Sequence, residues 1–308
     1  MKPYYKFSDY LKEKFDCRVH KITVDAGFNC PNIDGTLSKR GCIFCENYAF
    51  SPPVRKKNIP VEQQIREGME YGTRRYRAKK FLVYFQPYSN TYATAKILEE
   101  RYDIIRKFQD IVGVSIGTRP DLVDEKKISL IEGYTREYEV WIEYGLQSVH
   151  DRTLKLINRN HTFKDFLKAV ELTRNRGIRI CAHVIIGLPG ETEEDILETA
   201  KECSRLDIDA IKIHPLHVVK GTILEKMFNE GKYVPLELES YVEITSQFLC
   251  HLNPRMVIQR LTADCPKEML VTPEWINRKQ QVIMKIEENM LKKNLSQGCS
   301  IGKGPGGL

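Results

Sequence analysis

From residue 81 onward the chain alternates short β-branched and aromatic runs with amphipathic stretches, and that alternation admits very few folds. The runs KFLVYFQPY, VGVSIGT, YEVWIEYGLQS, RICAHVIIGLP and DAIKIHPL each end near glycine, proline or a polar group, as strands do. Between them, residues 94–109, 124–132, 162–176, 193–206 and 222–229 carry apolar side chains at helical spacing. Strand, helix, strand in repetition predicts a parallel sheet with right-handed crossovers. An earlier run, CRVHKITVDAGF, adds a strand, so about six βα units precede Gly231. The expected fold is α/β: a partial (β/α)6 TIM-like barrel over residues 1–230 with a small C-terminal α/β extension packed on it over 231–297. That extension reads as a helix near 238–252, a strand near 256–261 and a helix over 273–293. The Gly-rich segment 298–308 is expected to be disordered.

In barrels of this kind the sites sit at the C-terminal ends of the strands. The first strand runs directly into a loop holding Cys30, Cys42 and Cys45, spaced C-x11-C-x2-C. The Gly-Thr-Arg-Pro turn, Gly145 to Ser148 and Gly187 to Gly190 fall at the same end. Soft thiolates at loop spacing can hold zinc or an iron–sulfur cluster. A structural zinc would need a fourth ligand, Cys17 or His20, but the strand puts Cys17 at the end opposite Cys30. A 4Fe-4S cluster on three cysteines keeps one iron open for chemistry.

The remaining cysteines among the nine show no framework spacing, which favours metal binding over disulfides in a reducing compartment. No apolar run approaches the roughly 20 residues of a membrane helix, and MKPYYKFSDYLKEKF lacks the features of a signal peptide. The expected location is cytoplasmic, without a membrane partner. The net charge of +7 is uneven: Arg55, Lys56, Lys57, Arg66, Arg74, Arg75, Arg77, Lys79 and Lys80 crowd one stretch. Such crowding suits either a polyanionic partner or a solvated helix face. If these residues flank the barrel mouth, RNA is favoured; on the opposite face they favour a small substrate.

The cysteine triad and a series of segments in order, IGTRPD (116–121), EYGLQS (143–148), NRNHT (158–162), HVIIGLPGET (183–192), HPLHVVKGTILEK (214–226) and VIQR (257–260), resemble the radical S-adenosylmethionine superfamily. The long gap between Cys30 and Cys42 departs from the superfamily's usual C-x3-C-x2-C and resembles the branch related to the Elongator catalytic subunit. The resemblance implies that Cys30, Cys42 and Cys45 hold a 4Fe-4S cluster whose open iron takes the amino and carboxylate groups of S-adenosylmethionine. It implies that Phe44 packs near the adenine, that Ile185, Gly187, Leu188 and Pro189 line it, that Gln147 meets the ribose and that Arg159 binds the carboxylate. Thr118 joins the same set. The family's Gly-Gly-Glu after the second strand is replaced by Gln86, Pro87, Tyr88, Ser89, Asn90 and Thr91, whose backbone carbonyls could still accept the methionyl amine.

The segment after VIQR is too short for an acetyltransferase domain, so the resemblance is to a short bacterial branch. It implies a 5′-deoxyadenosyl radical enzyme that remodels the C5 side chain of a wobble uridine in tRNA, with flavodoxin or ferredoxin as electron donor. The alternatives are a radical enzyme acting on a small metabolite or protein, and a zinc-stabilised, non-catalytic RNA-binding module. Trp275, with Arg278 and Lys279, reads either as a clamp for a nucleobase or as a staple for the last helix.

Overall fold

The computed structural model describes residues 2–51 and 59–301. Strands β1 (Val19–Val24), β2 (Lys80–Phe85), β3 (Ile111–Thr118), β4 (Glu139–Gln147), β5 (Arg179–Ile186), β6 (Ala210–Pro215) and β8 (Val257–Arg260) lie side by side in that order, every pair parallel. The result is an α/β partial barrel. The six expected βα units supply six strands, and the C-terminal extension supplies the seventh, so it completes the main sheet instead of only packing on it. A further antiparallel pair, β7 (Val218–Val219) with β9 (Leu270–Thr272), is too short to leave a period-two signal in the sequence.

Helices Glu125–Gly133, Phe163–Thr173 and Glu193–Arg205 occupy the expected stretches, and the last two begin at capping boxes built from Thr162 with Asp165 and Thr192 with Asp195. The stretch read as one helix over 94–109 breaks instead into an α-helix, Ala95–Tyr102, and a 3-10 turn, Asp103–Lys107. Helix Phe7–Phe15 is an addition that sequence reading passed over. Residues 298–301, expected to be disordered, form a turn in which Gly298 and Ser300 donate backbone N–H groups to the carbonyls of Leu249 and Cys250. Those carbonyls end helix Leu238–Cys250, where the regular i to i+4 donors run out, and the turn supplies N–H groups to both. The rest of that segment, 302–308, lies outside the described residues.

Period-two alternation sorts the strands into two faces. Ile22 and Val24, Phe81, Val83 and Phe85, Val140, Ile142 and Tyr144, and Ile211 and Ile213 face the helices in one continuous apolar core. The inward residues form layers. At the N-terminal end, Leu82, Trp141, Cys181, Ala210 and Val257 make an apolar floor, and Phe7 and Tyr10 from the first helix plug it, each edge-on to Trp141 at 5.5 Å. Above the floor the lumen turns charged. Glu143, fully buried, accepts hydrogen bonds from Lys21 (2.9 Å), Ser115 (2.6 Å), His183 (2.8 Å) and Lys212, and Lys21 also donates to Gln259 at 2.9 Å. Residues of six strands meet at this one layer.

Burial alone would raise the Glu143 carboxyl, but Lys21, Lys212 and the His183 hydrogen bond hold it well below the usual range. Replacing it with alanine leaves the buried Lys212 and the half-buried Lys21 without their carboxylate. Glu143→Ala should cost about 3–5 kcal/mol in urea unfolding, while Lys21→Met, Glu143→Leu and Lys212→Met together should recover most of the loss. A triple variant as unstable as the single one would show that the network does not act through uncompensated charge.

Candidate active site

Above the charged layer, the C-terminal ends of the strands enclose a cavity of about 460 Å³ lined by Cys30, Cys42 and Cys45. An adjoining cavity of about 190 Å³ is lined by Phe44, Ile185, Gln147 and His217. The cysteine loop is positioned by asparagines. Asn32 donates from Nδ2 to the Asn158 carbonyl at 2.7 Å and to the Cys42 sulfur at 3.4 Å, while its Oδ1 accepts from Asn160 at 2.6 Å. Asn158 reaches back to the Gly41 carbonyl at 2.6 Å and Ser38 at 3.1 Å. Asn158 and Asn160 both sit at φ 54, a left-handed backbone that asparagine tolerates better than most residues. The loop after helix Asp151–Leu156 and the cysteine loop are therefore one unit.

Arg159 lies between these asparagines and is 8% exposed. Its Nη1 is 3.5 Å from the Cys42 sulfur, and Nη2 donates to the Gly145 carbonyl at 2.8 Å. Its Nε donates to His161 Nε2 at 2.9 Å. Burial and the charges of Arg159 and Arg119 push His161 down to about 2, so the ring is neutral beside the guanidinium, with Nε2 also 3.1 Å from the Gly145 carbonyl. Arg119, paired with Asp121 at 2.8 Å, donates to the carbonyls of Arg159 and Asn160 and locks this loop from behind. Sequence reading missed Asn32, Arg119 and His161. Arg119 and His161 stand inside segments it had singled out, so their position was a usable signal.

Three thiols facing one cavity suit a cluster better than a single ion. Zinc at about 2.3 Å from each sulfur would draw neighbouring sulfurs to within about 4 Å. Among the described residues, only His150, Asp195 and Glu198 bring three metal-capable side chains within 4.8 Å of one another, so at least one pair of the three cysteine sulfurs lies farther apart than that. Thiolates on separate irons require such spacing. The zinc alternative also fails at its fourth ligand: Cys17 precedes β1, and His20, near its start, stacks on Tyr76 at 4.9 Å, at the barrel end away from the cysteine loop.

The other expected residues divide. Gln86, Tyr88, Ser89, Thr118 and Gln147 line the larger cavity. Gln147 has φ 76 beside a register shift in β4, and Tyr88 has φ 63; such backbone costs of order 1–3 kcal/mol and persists where surroundings over-determine it. Asn90 is not on the cavity wall. Fully buried, it donates to the Pro87 and Gly117 carbonyls at 3.0 and 2.8 Å, tying the loop after β2 to β3. Gly187, Leu188 and Pro189 also lie off the wall: Leu188 packs in a second apolar cluster under Phe44 and Ile185, and the Gly187 carbonyl accepts from Tyr233.

Two surface expectations need correction. Helix Val61–Tyr76 runs back to the start of β2, so Arg74, Arg75, Arg77, Lys79 and Lys80 lie at the N-terminal end of the barrel, opposite the cysteine loop. Arg55, Lys56 and Lys57 lie outside the described residues. Lys279 is at the mouth but holds Asp264 at 2.5 Å. Trp275 is buried, donates its Nε1 to the Leu236 carbonyl at 3.1 Å and packs on Tyr241, which makes it a staple.

An open α/β barrel with three cysteines and a buried arginine at its mouth defines a cluster-dependent enzyme. The chain matches the Radical SAM superfamily over residues 38–203 and the Radical SAM C-terminal domain over 208–292. It belongs to the radical SAM superfamily, whose members use a 4Fe-4S cluster and S-adenosylmethionine. It is 40% identical over 298 residues to the MJ0486 protein of Methanocaldococcus jannaschii, covering 96% of this chain and 91% of the relative. It is 33% identical over 166 residues to the tRNA uridine(34) acetyltransferase of Methanocaldococcus infernus, covering 52% of this chain and 30% of that one. The solved Elp3 of Methanocaldococcus infernus, lacking residues 1–46, superposes with a TM-score of 0.70 at 21% identity over 92% of this chain and 65% of that one. The likeness to Elp3 shows the shared fold, and no described helix is long and apolar enough to cross a membrane.

Gly145 is where the site tolerates least. A Cβ there would lie 2.4 Å from Arg159 Nη2 and 2.8 Å from Gln147 Nε2. Gly145→Ala should keep its iron after anaerobic reconstitution yet bind S-adenosylmethionine about tenfold or more weakly, as for loss of a charge-assisted contact. Equal affinity in equilibrium dialysis would show that Arg159 does not hold the cofactor.

Burial, and next the charge of Lys212, lower His183 to about 4. The unfolded chain takes up that proton near pH 6.5 and the folded one only near 4, so this term is present above 6.5 and lost as pH falls toward 4. Its size is roughly 3 kcal/mol. Unfolding free energies measured across that window should fall more steeply for the wild type than for His183→Gln.

Proposed function

We propose that this radical SAM enzyme modifies tRNA at the C5 side chain of a wobble uridine. The observation that carries the reading is the 166-residue relationship to a tRNA uridine(34) acetyltransferase, which spans about half of this chain. The bound cluster and S-adenosylmethionine supply a 5′-deoxyadenosyl radical able to take hydrogen from an unactivated C–H bond.

The protein's part is binding, orientation and exclusion of water. Cys30, Cys42 and Cys45 hold the cluster. Arg159, beside Cys42, suits the cofactor carboxylate, and Gln147, at the end of β4, suits the ribose. Phe44 and Ile185 form the apolar side of the 190 Å³ cavity, which suits the adenine, and both pack against the cluster that contains Leu188. The loop of Gln86, Tyr88 and Ser89 borders the space left for the amine. Below, Phe7 and Tyr10 pack on the apolar floor and narrow access from the N-terminal end. Flavodoxin or ferredoxin fits the need for a one-electron donor.

A second reading, a small substrate, is favoured by one finding: the basic residues 74–80 lie at the end opposite the mouth and do not flank the site. A modified-nucleoside profile of tRNA from cells lacking the protein separates the two. The tRNA reading expects loss or accumulation of a wobble-uridine nucleoside. An unchanged profile gives the small substrate precedence.

A further inference from the structure

One cation in the lumen is not accounted for by cofactor binding. Arg260 ends β8 and lines both cavities, and among the described residues its side chain makes no hydrogen bond or ion pair. Its cross-strand partner is Lys212, so two cations are neighbours where β6 meets β8, an arrangement that costs energy. Lys212 is answered by Glu143; Arg260 is not. The other carboxylate on the wall, Asp264, is engaged by Lys279. Next to Arg260 in sequence, the Gln259 Nε2 amide is buried without a partner, because Lys21 occupies only its Oε1. A half-buried guanidinium and an orphaned amide donor, both on the cavity wall, leave an excess of positive charge and of donors on the β8 side.

We infer that Arg260 and the Gln259 amide form an oxyanion subsite that receives a carboxylate or phosphate group of the substrate. Arginine's planar fork suits either group. The cofactor's own carboxylate is a poorer occupant, since it must lie by the open iron, where Arg159 touches Cys42 and Arg260 does not. The inference rests on the radical SAM reading, which makes the lumen the substrate's place, but not on the substrate being tRNA.

The test uses reconstituted holoenzyme with S-adenosylmethionine bound, titrated separately with inorganic phosphate and with acetate, each followed by NMR line broadening of the probe. Wild type should bind at least one probe saturably. Arg260→Gln should weaken that binding about tenfold or more, Arg260→Lys should restore part of it, and Arg278→Gln, at an exposed position, should leave it intact. Preference for phosphate points to a nucleotide phosphate, and preference for acetate to a carboxylic acid; both support the subsite. No saturable binding, or binding unchanged in Arg260→Gln, overturns it. So does a tenfold loss of S-adenosylmethionine affinity in Arg260→Gln, which would assign the arginine to the cofactor. A changed nucleoside profile without Arg260-dependent anion binding would leave the tRNA reading standing and the subsite rejected; the reverse pair of results would do the opposite.

Discussion

The buried carboxylate of Glu143 is the point on which the barrel turns. A closed eight-stranded barrel fills its interior with layers of branched apolar side chains. An open barrel that must keep room for a cofactor and a substrate cannot do so. Here the apolar packing stops at the floor of Leu82, Trp141 and Val257, and the next layer is held by charge. Glu143 on β4 reaches Lys21 on β1, Ser115 on β3, His183 on β5 and Lys212 on β6, so one side chain fixes the spacing of five strands. Such a network is not a cheap source of stability, because its desolvation offsets most of its attraction. What it provides is a rigid, polar platform directly beneath the cysteine cavity.

The same economy governs the mouth. Loops are ordinarily the mobile part of a barrel, yet the cysteine loop is fastened by Asn32, Asn158 and Asn160 side chains to the loop that carries Arg159. Left-handed backbone at Asn158 and Asn160 is unfavourable locally and is maintained by these bonds and by Arg119. The consequence is coupling: ligands from the β1 loop and a guanidinium placed after β4 cannot move independently.

Much of this was legible in the sequence, for identifiable reasons. The strands were readable because parallel strands with a helix layer give dense apolar runs, and the cysteines because their spacing is chemically specific. The charged layer was not readable. Lys21 and Glu143 are 122 residues apart and Glu143 and Lys212 are 69 apart, and a lone charge within a strand looks like a solvent-facing position. The basic stretch was misjudged for a different reason. Its composition signals charge but not location, whereas its position immediately before β2 already places it at the N-terminal end of the barrel. Trp275 shows the same limit: an aromatic beside Arg278 resembles a nucleobase clamp until its indole N–H is seen donating to Leu236.

Charge is also distributed unevenly around the cavity, and this bears on what can enter it. On the cysteine side, Arg159 and Asn32 both donate toward Cys42. On the β6–β8 side, Arg260 stands without a carboxylate beside Lys212, whose partner Glu143 also holds Lys21 from β1. Neither His183 nor His214 adds to that excess, since burial and the neighbouring cations keep both neutral near pH 7. In a lumen shielded from water such an imbalance is felt more strongly than at the surface. A group bearing negative charge is therefore drawn past the cysteine loop toward β8, where Arg260 and the Gln259 amide line the cavity.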